Sequence, residues 1–161
     1  MLRAKGIRLI TVVTYWIAIL LGPLIPWASL LLTDVAVRHI SIAQALHDFR
    51  AHLFAPGYNF FLIGMLNTVP FITFALFTLC HLGMLPLEDS VQTRRRLAGI
   101  AGAGLAITAV SIWIHVTVLL HPDAQGAIAY LFLPVVLLVL LPVGYAVGWL
   151  VGTLMVHANT A

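Results

Sequence analysis

Charge is nearly missing from this sequence. Asp, Glu, Lys and Arg together make up 8% of its 161 residues, against about a quarter in an ordinary soluble domain. Hydrophobic residues make up 62%. A globule of this size has too much surface for its volume to hide that much apolar material from water. A bilayer removes the difficulty by acting as an apolar solvent. Cysteine is reduced to Cys80. One thiol forms no intramolecular disulfide, and without a CxxC pair a single chain builds no cysteine-based zinc or redox centre. Cys80 lies inside an apolar run and reads as a small packing residue. Also missing are a Walker loop, a GxGxxG following a strand, HExxH and GxSxG. The carboxylates are Asp34, Asp48, Glu88, Asp89 and Asp123, and their spacing suggests no triad. Glu88 and Asp89 read as part of a solvated linker. The net charge of +3 does not imply nucleic acid: the basic residues flank apolar runs and form no stripe.

What the sequence does contain is four apolar runs, at about 9–32, 58–82, 97–120 and 127–156. Each exceeds the ~20 residues that span ~30 Å of hydrocarbon as a helix. Exposed backbone cannot face lipid, so the predicted fold is all-α: a single integral-membrane four-helix bundle over residues 1–161. Arg3, Lys5 and Arg8 precede the first run as in a signal peptide. The run is too long for that and no small-x-small site follows, so it reads as a retained helix. Pro23, Pro26, Pro70, Pro134 and Pro142 predict bends, and the overlong fourth run predicts tilt.

The basic residues set the orientation. Arg3, Lys5, Arg8, Arg94, Arg95 and Arg96 fall on one side, Arg38 and Arg50 on the other. The positive-inside rule then places both termini and the 85–96 loop in the cytoplasm, in a bacterial inner membrane. Residues 33–57 and 121–126 face outward. Within the first of these, Ser41-Ile-Ala-Gln44 has the form of a capping box. Ile42, Leu46, Phe49 and Leu53 make an apolar stripe, with Gln44, His47, Asp48 and Arg50 on the opposite face. Residues 41–54 therefore read as an amphipathic helix on the outer surface, a plain connector or a lid over the bundle. Ala55-Pro56-Gly57 ends it.

Small residues recur every four positions at Ala98, Gly102 and Ala106 in the third run and at Gly144, Gly148 and Gly152 in the fourth. Such rows let helix backbones approach closely. Both lie in the cytoplasmic half, at matching depth. They predict tight packing of the last two spans, or a face for a partner subunit. Polar residues at membrane depth are few. Asn67 lies ~14 Å into the second span and Ser111 at similar depth in the third, so a hydrogen bond from Asn67 to Ser111 or Thr108 is expected. No charged residue falls at a bilayer centre, which argues against a proton-coupled pump within one chain.

Seven histidines are present. His81 and His115 lie ~25 Å apart along the membrane normal and cannot share a haem iron. A haem b near the outer face would use His115 with His39, His47, His52 or His121; the cofactor candidates are His115, His121 and His52. His47 and His52 are ~140° apart around a helix. Asp48 and His52 share a face, but a third ligand would have to come from His115, His121 or Asp123. No metal site is assigned.

These features point to a non-enzymatic protein acting through helix–helix contact, as an accessory or assembly subunit of a larger membrane complex or as an immunity-type protein. Its partners are the bilayer and other membrane subunits or a second copy of itself, not nucleic acid. The alternatives are a redox subunit holding haem or quinone near His115, and a small transporter or channel.

Overall fold

The computed structural model describes residues 4–56, 59–84, 90–121 and 124–158, and every regular element among them is helical. Helices α1 (Ala4–Leu32), α3 (Phe60–Thr78), α4 (Ser90–Leu120) and α5 (Ala124–Ala158) are the long ones, and α2 (Ile42–His52) is short. Four segments are long and apolar enough to cross a membrane: Gly6–Val37, Phe60–Gly83, Val91–Leu120 and Ile128–Val156. Their outward faces carry large aliphatic side chains, Leu105 and Leu154 among the most exposed. In water that surface would be untenable. Against acyl chains it is the ordinary exterior of a multi-pass membrane protein.

The boundaries differ from the sequence reading in instructive ways. The first span does not stop at Leu32. It continues as a widened turn over Thr33–Val37, in which the Arg38 amide donates five residues back to the Thr33 carbonyl at 3.1 Å. His39 then takes a left-handed conformation, φ 56°. That is uncommon for a residue with a side chain, and it turns the chain into α2. A second widened turn, Leu79–Met84, follows α3. It leaves Cys80 exposed between the buried Thr78 and Leu82, so Cys80 is not the packing residue the sequence suggested. Arg94–Arg96 lie within α4 and not in a linker. The Arg95 guanidinium sits 5.5 Å from the Trp149 ring centroid, a cation–π contact between α4 and α5. Pro23, Pro26, Pro70, Pro134 and Pro142 lie inside helices without ending them. Each still deprives one carbonyl of its helical donor. Gly57, Glu88, Asp89 and Asp123 lie outside the described residues.

The bundle is two tight pairs. The most extensive contact is between α4 and α5, the next between α1 and α3. In the first pair the small residues face one another. A Cβ on Gly102 would lie 2.5 Å from the Gly144 carbonyl oxygen and 2.8 Å from Gly148 Cα. One on Gly144 would lie 2.9 Å from Ala106 Cβ, and one on Gly152 2.7 Å from Ala98 Cβ. The two backbones touch, so dispersion contacts replace the hydrophobic effect that lipid cannot supply. In the second pair Gly22 lies on the Thr68 backbone and Gly64 under the Trp27 ring. Ile25, Phe71, Phe74, Ile107, Leu133 and Leu137 fill the space between pairs.

Contact between the pairs is thinner, and along the α1/α4 seam it leaves two apolar cavities. One of 480 Å³ includes Ile17, Phe71, Ile100, Gly104 and Leu105 in its walls. The other, 370 Å³, lies toward the α2 end against Leu24, Ala28, Leu32, Ile112 and Val116.

Candidate functional site

Two polar features interrupt the apolar bundle. The first begins at a proline. Pro26 has no N–H to offer the Gly22 carbonyl, its helical acceptor four residues back. Asn67 supplies the missing donor from α3: its Nδ2 donates to Gly22 O at 2.6 Å. The same amide accepts through Oδ1 from Ser111 Oγ on α4 at 2.9 Å. Asn67 and Ser111 are both buried, so each bond forms away from competing solvent. One side chain thus ties α1, α3 and α4 together, and its bond to Ser111 bridges the two tight pairs.

One turn along α4, His115 is 1% exposed. Its Nδ1 lies 2.7 Å from the Ser111 carbonyl oxygen. Only a protonated Nδ1 can donate to that acceptor, which leaves Nε2 as a bare lone pair. Nε2 is buried with no hydrogen-bond partner, and the Tyr130 ring of α5 packs alongside at 5.2 Å between centroids. Buried polar atoms without partners are rare, and the cost of burying this one offsets what the ring gains from its bond to Ser111.

The second feature is a cavity of 320 Å³ at the α2 end, lined by Leu30, Asp34, Arg38, Ile40, Asp48, His52, Phe60, Val118 and Leu119. α2 forms its roof. Ser41 caps the helix by accepting from the Gln44 amide at 3.3 Å. The capping box is only half made, because the Gln44 side chain reaches forward to Asp48 Oδ1 at 2.8 Å. The bond that Gln44 Nε2 donates to a carboxylate is charge-assisted, and stronger than the neutral one in which Gln44 Oε1 would accept from the Ser41 amide. The expected apolar stripe is also split. Phe49 and Leu53 pack on Leu30, Phe60 and Leu119, and Trp27 meets Phe49 edge-on. Ile42 remains 67% exposed. Asp48, expected on the opposite face, lines the cavity instead, together with His52. The aromatic seat for Phe49 sets this rotation. Trp27 also donates Nε1–H to the Phe60 carbonyl at 3.0 Å.

The cavity floor is an ion pair. Arg38 donates to Asp34 Oδ1 at 2.8 Å and to the Leu119 carbonyl at 3.0 Å. Leu119 is in the last turn of α4, where carbonyls lack helical donors. Arg38 therefore caps one helix while neutralising the buried Asp34 of another.

No family model, curated protein or solved structure matches this chain. The site must be read from its own geometry. His52 lines the cavity beneath α2, His121 is exposed at the end of α4, and His115 is buried against α5. His115 lines none of the three cavities. His115 in α4 and His121 just past its end are six residues apart, about 120° around the helix axis and ~9 Å along it, so they do not flank a common iron. Among the described residues, no three His, Cys, Asp or Glu side chains converge as a metal site. Residues that the sequence reading passed over are Gly22, Trp27, Asp34 and Arg38. The signal for the last two was present: opposite charges four apart at the end of an apolar run.

Proposed function

We propose that this protein is a non-enzymatic subunit of a larger membrane complex in a bacterial inner membrane. It acts by helix–helix contact, with both termini in the cytoplasm and α2 on the periplasmic side. The surface offered is the seam between α1 and α4. The observation that carries this reading is the contrast between the two kinds of helix contact. The Gly and Ala rows of α4 and α5 are used against each other, so they are not free for a partner. The α1/α4 seam is left with apolar hollows of 480 and 370 Å³ at two depths. A partner's membrane helix laid along that seam would fill both with side chains and gain packing that lipid tails, being mobile, provide less well. The basic residues at one end of the bundle support the orientation.

Photo-crosslinking tests it. A benzophenone side chain at Leu105 or Val116, in the seam, should give one adduct of discrete mass in native membranes, either a second copy or a different subunit. The same group at Leu154, as exposed as Leu105 but on α5, should give none. Lipid adducts alone at all three positions would refute the proposal. A haem or quinone reading built on His115 is not favoured, since no described cavity reaches that side chain.

A further inference from the structure

We infer that Arg95 of α4 and Trp149 of α5 together hold the phosphate of a net-anionic phospholipid, at the end of the bundle opposite α2. Neither residue lines the hollows of the α1/α4 seam. The site therefore stands or falls separately from the helix-contact reading.

The argument begins with an arginine whose donors are unused. Arg95 leaves α4 on the face that packs against α5: a Cβ on Gly152 would come 3.3 Å from Arg95 Cα. Its guanidinium then lies over the Trp149 ring, 5.5 Å from the centroid. Nε is buried with no hydrogen-bond partner. The two Nη nitrogens make no hydrogen bond or ion pair among the described residues, and they are not buried. Arg38, at the other end of the bundle, is matched by Asp34 and the Leu119 carbonyl; Arg95 has only the ring. A cation–π contact attracts the charge but gives the N–H groups no acceptor. Neither α4 nor α5 contains an Asp or Glu, and Arg94 and Arg96 flank Arg95 on its own helix. The local field therefore favours an anion.

Trp149 supplies a second donor beside the first. Its ring is exposed, and its Nε1–H makes no hydrogen bond among the described residues, whereas Trp27 Nε1–H is bonded to the Phe60 carbonyl. An aromatic ring is negative on its face and positive at its edge. The guanidinium takes the face, which leaves the edge, with its N–H, to an anion. The 5.5 Å contact sets the two donor groups side by side. A phosphate has several acceptor oxygens and receives an arginine fork through two of them, so one phosphate can take both groups.

Depth identifies the anion as a lipid's. Arg95 and Trp149 lie four and seven residues inside their membrane-spanning segments, Val91–Leu120 and Ile128–Val156. At the rise of a helix that is ~6 Å and ~10 Å, the level where lipid phosphates meet the acyl chains and where Trp and snorkelling Arg collect. The neighbours Ala146 and Leu150 on α5 are exposed aliphatic residues. An anion that settles beside them brings an apolar body with it. Three consecutive arginines also repel the ammonium of a zwitterionic headgroup, so the lipid is one of net negative charge.

The test is thermal unfolding of the full-length protein in dodecyl maltoside micelles doped with increasing phosphatidylglycerol or phosphatidylcholine. Phosphatidylglycerol should raise the unfolding temperature saturably, and phosphatidylcholine at the same mole fraction should not. Arg95→Gln should move the phosphatidylglycerol midpoint about tenfold higher. Trp149→Phe keeps a ring under the guanidinium but loses the N–H, and should move it about threefold. Each variant is compared with itself in phosphatidylcholine, so a loss of intrinsic stability cancels. Arg94→Gln removes the same charge one residue away and should shift the midpoint by less than about twofold. An equal shift in Arg94→Gln and Arg95→Gln would mean diffuse attraction to a basic end and would overturn the site. So would an unchanged midpoint in both Arg95→Gln and Trp149→Phe, or inorganic phosphate that stabilises the protein as well as phosphatidylglycerol does.

Discussion

Replacing Asn67 by Leu should reveal how the bundle handles a proline. The variant removes the donor to the Gly22 carbonyl and the acceptor for Ser111. Interhelical hydrogen bonds in membrane proteins average about 0.6 kcal/mol and reach about 1.7, and a buried acceptor left without a partner costs about 1–3 kcal/mol. Ser111 can turn its hydroxyl to a carbonyl of its own helix, so most of the loss falls on Gly22. We expect Asn67→Leu to destabilise the fold by about 2 kcal/mol. The reason lies in Pro26, so the remedy does too. Pro26→Ala restores an N–H four residues beyond Gly22, and in that background Asn67→Leu should cost about 1 kcal/mol less. Pro26 is itself fully buried, so Pro26→Ala carries a packing penalty of its own, which cancels in the double-mutant cycle. The measurement is reversible unfolding in mixed micelles, followed by tryptophan fluorescence, for the four proteins of the cycle. If Asn67→Leu costs the same in both backgrounds to within about 0.3 kcal/mol, the Asn67 bond does not compensate for the proline and this account of the α1–α3 tie is wrong.

Other outcomes follow from the same packing. Gly102→Leu drives a side chain into the Gly144 carbonyl and the Gly148 backbone; overpacking costs roughly 1–3 kcal/mol and here two backbones must separate, so a clear fall in unfolding temperature is expected, and an unchanged one would contradict the close approach of α4 and α5. Trp27→Phe removes the bond to the Phe60 carbonyl and should cost about 1 kcal/mol, read by the same unfolding assay. His115→Leu deletes a ring nitrogen that has no partner along with its bond to Ser111, and the two effects should nearly cancel, leaving stability within about 1 kcal/mol; a loss well beyond that would mean Nε2 holds something, such as an ordered water.

The four spans were legible because hydrophobic length is a local property, readable residue by residue. So were the rows at Ala98, Gly102 and Ala106 and at Gly144, Gly148 and Gly152, since a period of four on a helix makes one face regardless of what covers it. The pairing of Asn67 with Ser111 could be narrowed by depth alone, as polar groups at one level in lipid have few alternatives.

Other features depended on neighbours distant in the chain. Nothing local marks the Gly22 carbonyl as Asn67's second partner; that requires α3 to lie beside the proline of α1. The amphipathic stripe of α2 was visible, but the Trp27 and Leu30 seat, contributed by another helix, turned Asp48 toward the cavity. Asp34 and Arg38 advertise an ion pair, yet only tertiary contact brings the Leu119 carbonyl to the same guanidinium and closes a cavity over it. Hydrophobicity and helical period follow from each residue and its near neighbours, so the chain alone determines which segments enter the membrane and which faces are smooth enough to pack. Which face meets which, and which polar atom is left without a partner, is decided only when helices far apart in sequence compete for the same space.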